Sequence, residues 1–301
     1  MRIPMIKLSI VALAVLVCAP AFSQTAPELQ SHVEYLASDA LQGRAPASEG
    51  MGKAIEYVKA QCKELGLQTY SQPVPVRGGT CSNTVAVLEG RSKDVRIVVG
   101  AHLDHLGTAS RVVREDDVFN GADDNASGCA AVLGLARRLS GEAQIGCTVE
   151  FHWYTGEEQG LLGSKVYCKK PLAPIEQYKA MVNLDMVGRL DREKMIGDAP
   201  FPYTATLTSL ADKYIFAERI TRAWDTASSD HSSWWRAGVP AVILHTGLHA
   251  DYHKVTDEAA KIDYRGMVDV CDYAYDIVKA IDKIEGGPSP PAEPEDPFVL
   301  Y

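Results

Sequence analysis

The most constraining feature of this 301-residue sequence is a run of short, β-branched apolar segments interleaved with helical patterns. Thr84–Leu88 (TVAVL), Val95–Val99 (VRIVV), Val149–Tyr154, Met181–Val187 (MVNLDMV) and Pro240–His245 (PAVILH) read as strands bounded by turn residues. Residues 26–38, 49–65, 126–139, 161–167 and 263–284 read as helices. In the second of these, Met51, Ile55, Val58, Cys62 and Leu65 fall on one helix face. Strands that alternate with helices predict an α/β fold with a mixed, mostly parallel central sheet covered on both faces, a three-layer sandwich. In such sheets chemistry collects at the loops beyond the carboxyl ends of the strands.

The first 24 residues, MRIPMIKLSIVALAVLVCAPAFSQ, carry Arg2 and Lys7, an apolar run too short to span a bilayer, and the small-x-small pattern Ala21-Phe22-Ser23. This predicts a signal peptide over 1–23, with cleavage after Ser23 and export to the periplasm or the medium. Val17 is bulky where a lipoprotein signal needs a small residue before Cys18. Cleavage would leave 278 residues and shift the net charge from −9 to −11. An acidic chain has no cationic excess to displace counterions, so nucleic acid is excluded as the main partner. No later stretch is long and apolar enough for a membrane span. Six cysteines remain, Cys62, Cys81, Cys129, Cys147, Cys168 and Cys271, and disulfides and packing both stay open for them. The expected organisation is one catalytic domain over 24–285 and a proline-rich flexible tail over 286–301.

Five polar strings stand mostly at or after strands. His102 follows Val95–Val99, with Asp104 two residues on. Asp123 and Asp124 open a helix that begins with small residues. Glu157 and Glu158 follow Val149–Tyr154. Asp185 lies among apolar residues within MVNLDMV, and His253 lies in a loop before the last helix. Each has an ordinary explanation alone: a helix cap, a solvated loop, a structural ion pair. Together they offer two histidines and three carboxylates (Asp123, Glu158, Asp185) without thiolate, a donor set that suits zinc and also admits cobalt or manganese. Two metals sharing one carboxylate would each have a histidine, a terminal carboxylate and an open position. Glu157 is then left as general base for a metal-bound water.

The strings AHLDHLG, NGADDNASG, GEEQGLLGS, NLDMVG and DYHKVTD, in this order, resemble the co-catalytic di-zinc aminopeptidases of the zinc-peptidase superfamily. The upstream YLASDALQGRAPASEG is similar to that family's N-terminal approach, and the likeness runs from about His32 to about Tyr264. The resemblance implies two zinc ions, one on His102 and Asp185, the other on Glu158 and His253, with Asp123 bridging. It implies Glu157 as general acid/base, Asp104 as the carboxylate orienting His102, a cis Asp123–Asp124 peptide, and Tyr252 as a donor to the oxyanion. The expected substrates are peptides with a free amino terminus, and the expected oligomeric state is a monomer. Val255 replaces a common proline, and the Ser228–Trp235 loop ends in two tryptophans, which bears on specificity. Between Gln72 and Val95 there is no room for an inserted protease-associated domain. The alternatives are a glutaminyl cyclase, a carboxypeptidase or dipeptidase, and a non-catalytic binding domain.

Overall fold

In a computed structural model, the described residues are 24–113, 116–142, 145–190, 196–198, 204–211, 213–214 and 229–284. The expected leader (1–23), the tail (286–301) and Ser228 lie outside them. In chain order the elements are α1 (Ala26–Leu36), α2 (Glu49–Glu64), β1 (Gln68–Val76), β2 (Gly79–Leu88), β3 (Ser92–His102), β4 (Gly107–Val113), β5 (Asp116–Phe119), α3 (Gly128–Ser140) and β6 (Cys147–Tyr154). They continue as α4 (Leu162–Lys169), β7 (Tyr178–Leu184), β8 (Ile196–Asp198), α5 (Thr204–Ala211), α6 (His231–Arg236), β9 (Ala241–His245) and α7 (Tyr264–Lys283).

Seven strands form one sheet in the order β1-β2-β6-β3-β7-β9-β8. The four central strands, β6, β3, β7 and β9, run parallel, and β1, β2 and β8 flank them antiparallel. The expected α/β fold with a mixed central sheet is therefore present. β4 and β5 form a separate hairpin. β1 lacked a readable signal because it is polar and lies at the sheet edge, with all but one of its residues exposed or half-buried.

Residue alternation sends the two faces of the central strands into separate cores. Val149, Phe151 and Trp153 of β6 join Ile97, Val99, Val182 and Leu244 beneath α1, α2, α3 and α7. On the opposite face, Tyr154, Val98 and Met181 pack with Tyr167 of α4 and Trp234 of α6. Helices thus cover both faces, as period-two strands buried on both sides require. α2 starts at a cap, where the Ser48 side chain accepts from Met51 N. The six described cysteines are free thiols, five of them buried, so packing accounts for them.

One boundary matters for the site. The sequence places Asp185 inside a strand, but β7 ends at Leu184. Asp185 is the first residue past the strand, where a carboxylate can turn out of the sheet; its backbone N–H still donates to Leu244 O. His102 is the last residue of β3, and Glu157 and Glu158 follow β6. Three parallel neighbours therefore deliver their polar residues to one edge of the sheet.

Candidate metal centre

His102 is buried, and its Nδ1 lies 3.1 Å from the carbonyl oxygen of Asp104. With the proton held on Nδ1 by that carbonyl, Nε2 presents its lone pair outward. Nε2 lies 3.3 Å from Asp124 Oδ1 and 3.4 Å from Asp185 Oδ1. The other oxygen of Asp124, Oδ2, lies 3.1 Å from His253 Nε2, which is also 3.3 Å from Glu158 Oε2. Asp124 therefore stands between two histidines, each with one further carboxylate.

This corrects the expectation for Asp123. Its Oδ1 accepts from Gly188 N (2.7 Å) and Ser127 Oγ (3.0 Å), and its Oδ2 pairs with His249 Nε2 at 3.0 Å. Its oxygens are spent away from His102 and His253, and Asp124 holds the central place. The cis peptide likewise falls one residue later than expected, at Asp124–Asn125. Adjacent acids in an irregular turn face different ways, and sequence spacing alone does not tell which faces inward. The small residues of this turn have a reason: Gly121 has φ +56, and a Cβ there would meet His105 within 2.5 Å. A Cβ on Gly128 would come within 2.2 Å of Leu184 O.

Asp104 is corrected too. The backbone carbonyl, not the carboxylate, holds His102. The carboxylate accepts from the backbone N–H groups of Glu157 (3.2 Å) and Glu158 (3.4 Å), so it positions the loop that carries both glutamates. Burial pushes the Asp104 carboxyl up to about 6.

His105 and Arg44 also shape the site. His105 Nδ1 lies 2.8 Å from Glu158 Oε1. Arg44, fully buried, donates to the carbonyls of Leu36, Leu103, Asn120 and Gly121 and so ties the His102 loop to the Asp124 turn. The DxxxxR spacing in DALQGR offered no recognisable signal for that.

The donor atoms fall into two sets, His102–Asp124–Asp185 and His105–Asp124–Glu158, each within 4.8 Å. On the second side His253 also faces both carboxylates. His253 lines the cleft, whereas His105 does not and contacts Glu158 Oε1. Among the described residues the ion-pair partners of Asp124, Asp185 and Glu158 are histidines, not lysine or arginine. Burial alone would raise the Asp124 carboxyl, but His105, His102 and His253 hold it well below the usual carboxylate range. Burial also opposes ionisation of Glu158, yet hydrogen bonds from His105 and His253 lower it to about 2. The same bonds to Asp124 and Glu158 raise His253 to about 10. Three carboxylates clustered this closely, without lysine or arginine partners, suit cations among them, and an imidazole–carboxylate set without sulfur fits zinc.

The cleft has a volume of about 110 Å³ and includes Glu157, Met186, Ser229, His245, Leu248 and Tyr252 beside the donors. Burial, with Asp230, Asp185 and Glu158 nearby, pushes Glu157 well above the usual range, against the pull of His102. Tyr252 stacks on His253 with ring centroids 3.8 Å apart. The cleft thus brings together His102, Asp124, Glu157, Asp185, Tyr252 and His253, with Glu158 at its edge, and leaves Asp123 and Asp104 behind it.

Known proteins resemble this chain in sequence and in fold. The sequence profile of Peptidase family M28 matches residues 83–278. The uncharacterized protein YfbL of Escherichia coli (strain K12) is 28% identical over 285 residues, 81% of this chain and 85% of that protein. A probable leucine aminopeptidase of Arthroderma otae is 30% identical over 209 residues, 65% of this chain and 57% of the relative, so the match spans little more than half of that protein. Among solved structures, a Zn-dependent exopeptidase from Parabacteroides distasonis superposes with a TM-score of 0.72 at 18% identity, covering 86% of this chain and 99% of that one. A glutaminyl cyclase from Porphyromonas gingivalis does so with 0.72 at 19%, covering 85% and 98%; at these identities the likeness is one of fold. The matched profile spans most of the chain and contains all five polar strings, and with it this chain belongs to peptidase family M28 and is a metallo-exopeptidase.

Proposed function

We propose that the chain is a two-zinc aminopeptidase that removes the first residue from peptides with a free amino terminus. The observation that carries this reading is Asp124, whose two oxygens face His102 and His253, each backed by a further carboxylate. One zinc would be held by His102, Asp185 and Asp124, the other by His253, Glu158 and Asp124. When bound, the metal polarises the scissile carbonyl and acidifies water. Glu157, whose affinity for a proton is raised by burial, takes the proton of the attacking water on its carboxylate and returns it to the leaving amine. Tyr252, held against His253, donates its hydroxyl to the oxyanion. The carboxylates around the small cleft favour the substrate's ammonium, which confines cleavage to the terminus. Met186 and Leu248 in the cleft lining, and the names of the fungal relatives, support an apolar first residue. The chain would work as an exported monomer, cut after Ser23.

The fold likeness to a glutaminyl cyclase gives the test its second arm. Mass spectrometry of peptides starting with leucine and with glutamine separates the reactions. Release of a free amino acid, lost on chelation and restored by zinc, supports the aminopeptidase. Loss of ammonia from the glutamine peptide, with the leucine peptide intact, supports the cyclase instead.

A further inference from the structure

Asp124, Asp185 and His253 all lie in irregular chain: a turn, the residue past β7, and the loop between β9 and α7. Something must fix their mutual distances, because a donor set is useful to a metal only within a few tenths of an ångström. Asp257 is fully buried, four residues after His253. Its backbone carbonyl accepts from Ala122 N at 3.1 Å. Its Oδ2 accepts from the backbone N–H of Asp123 (2.9 Å) and of Asp124 (3.0 Å). One residue thus grips three successive peptide groups of the turn that presents Asp124.

The other oxygen, Oδ1, accepts from Arg189 Nη2 at 3.1 Å, and the same nitrogen reaches Asp251 Oδ2 at 3.3 Å. Arg189 stands four residues after Asp185, and its backbone N–H donates to Thr246 Oγ1. Asp251 stands two residues before His253. The three charges therefore join the segments carrying Asp124, Asp185 and His253.

We propose that Asp257 and Arg189 are positioning residues that form a charged strut setting the spacing of the two metal subsites. The inference rests on the two-zinc reading. The strut acts on the ligands through their backbone and not through their side chains. Outer-shell partners of this kind are worth roughly 10–100-fold in metal affinity. Because one nitrogen of Arg189 makes both bonds, a lysine ammonium at that place can serve the same purpose.

The test compares the full-length wild type with Asp257→Asn, Arg189→Gln and Arg189→Lys. Zinc affinity is read by competition with a chromogenic chelator, and melting temperature with and without zinc. The strut predicts zinc binding weaker by roughly 10–100-fold in Asp257→Asn and Arg189→Gln. It predicts a reduced zinc-dependent rise in melting temperature, turnover recovered at high zinc, and near wild-type affinity in Arg189→Lys. Variants that bind zinc like the wild type, and melt lower by the same amount with and without it, would overturn the strut while leaving the two-zinc reading intact. If Asp257→Asn does not fold, Asp251→Asn decides, since Asp251 lies at the partly exposed end: weakened zinc supports the strut and unchanged zinc overturns it. A wild type that binds no zinc overturns the two-zinc reading, and the strut with it.

Discussion

His105 and Glu158 meet through Nδ1 and Oε1 at 2.8 Å, which leaves the other carboxylate oxygen of Glu158 facing His253. A glutamate side chain has three rotatable bonds, and this contact fixes where its free oxygen points. His105→Ala is expected to leave the second zinc bound but weaker by roughly 10–100-fold. His253→Ala, which removes a donor, is expected to lose it. Metal content after dialysis against graded zinc concentrations distinguishes the two. A His105→Ala protein with unchanged zinc affinity would argue against the bracing role.

The two acids of the Ala122–Ser127 turn are expected to separate cleanly. Asp124→Ala removes the central carboxylate and should abolish metal binding and turnover. Asp123→Ala leaves Gly188 N without its acceptor and His249 Nε2 without its partner, at a cost of about 1–3 kcal/mol, while zinc still binds. Urea unfolding and metal analysis on both variants check this. Zinc loss in Asp123→Ala with retention in Asp124→Ala would reverse the assignment.

That pair also shows how far the sequence could be read. The order of the strings and their places at strand ends were legible because apolar periodicity marks β3, β6, β7 and β9. Which of two adjacent acids faces inward was not, since it depends on backbone angles within six residues that follow no regular period. The functions of Asp104, His105 and Asp257 were hidden for a different reason. Their partners are backbone groups or side chains that are distant in sequence, as with Asp257 and Asp123 N across 134 positions. Arg44 is the same case, a buried guanidinium whose acceptors are all carbonyls.

Stability should depend on pH through His32, whose Nδ1 contacts the Tyr57 hydroxyl at 2.7 Å. Burial lowers the His32 imidazole to about 4, with Glu28 opposing and Arg137 adding to the shift. Between about pH 6.5 and 4 the unfolded chain therefore binds this proton and the folded chain does not. Its contribution falls as pH drops through that window and levels off below it. Denaturant unfolding at several pH values should show a shallower slope in His32→Gln than in the wild type. An identical slope would remove His32 from the account.

Glu150 of β6 points into the second core, with no exposed side chain, and accepts from Arg96, His152, Tyr167 and Tyr178. Glu150→Ala leaves that guanidinium, and at least one of the two phenols, which otherwise donate only to each other, without an acceptor and should cost about 3–5 kcal/mol. The network lies away from the cleft lining, so turnover per folded molecule should stay near that of the wild type. Unfolding midpoints together with active-site titration test both halves. A fully stable Glu150→Ala protein would contradict the packing account.

The central claim is that two metals on Asp124 and a proton carrier at Glu157 perform the hydrolysis. It is tested most directly by titrating zinc into the chelator-stripped wild type and Glu157→Gln while following leucine p-nitroanilide turnover. The account predicts two zinc ions bound by both proteins, full wild-type activity as the second site fills, and a loss of at least about 100-fold in Glu157→Gln. Turnover without metal, or wild-type turnover in zinc-loaded Glu157→Gln, would contradict it.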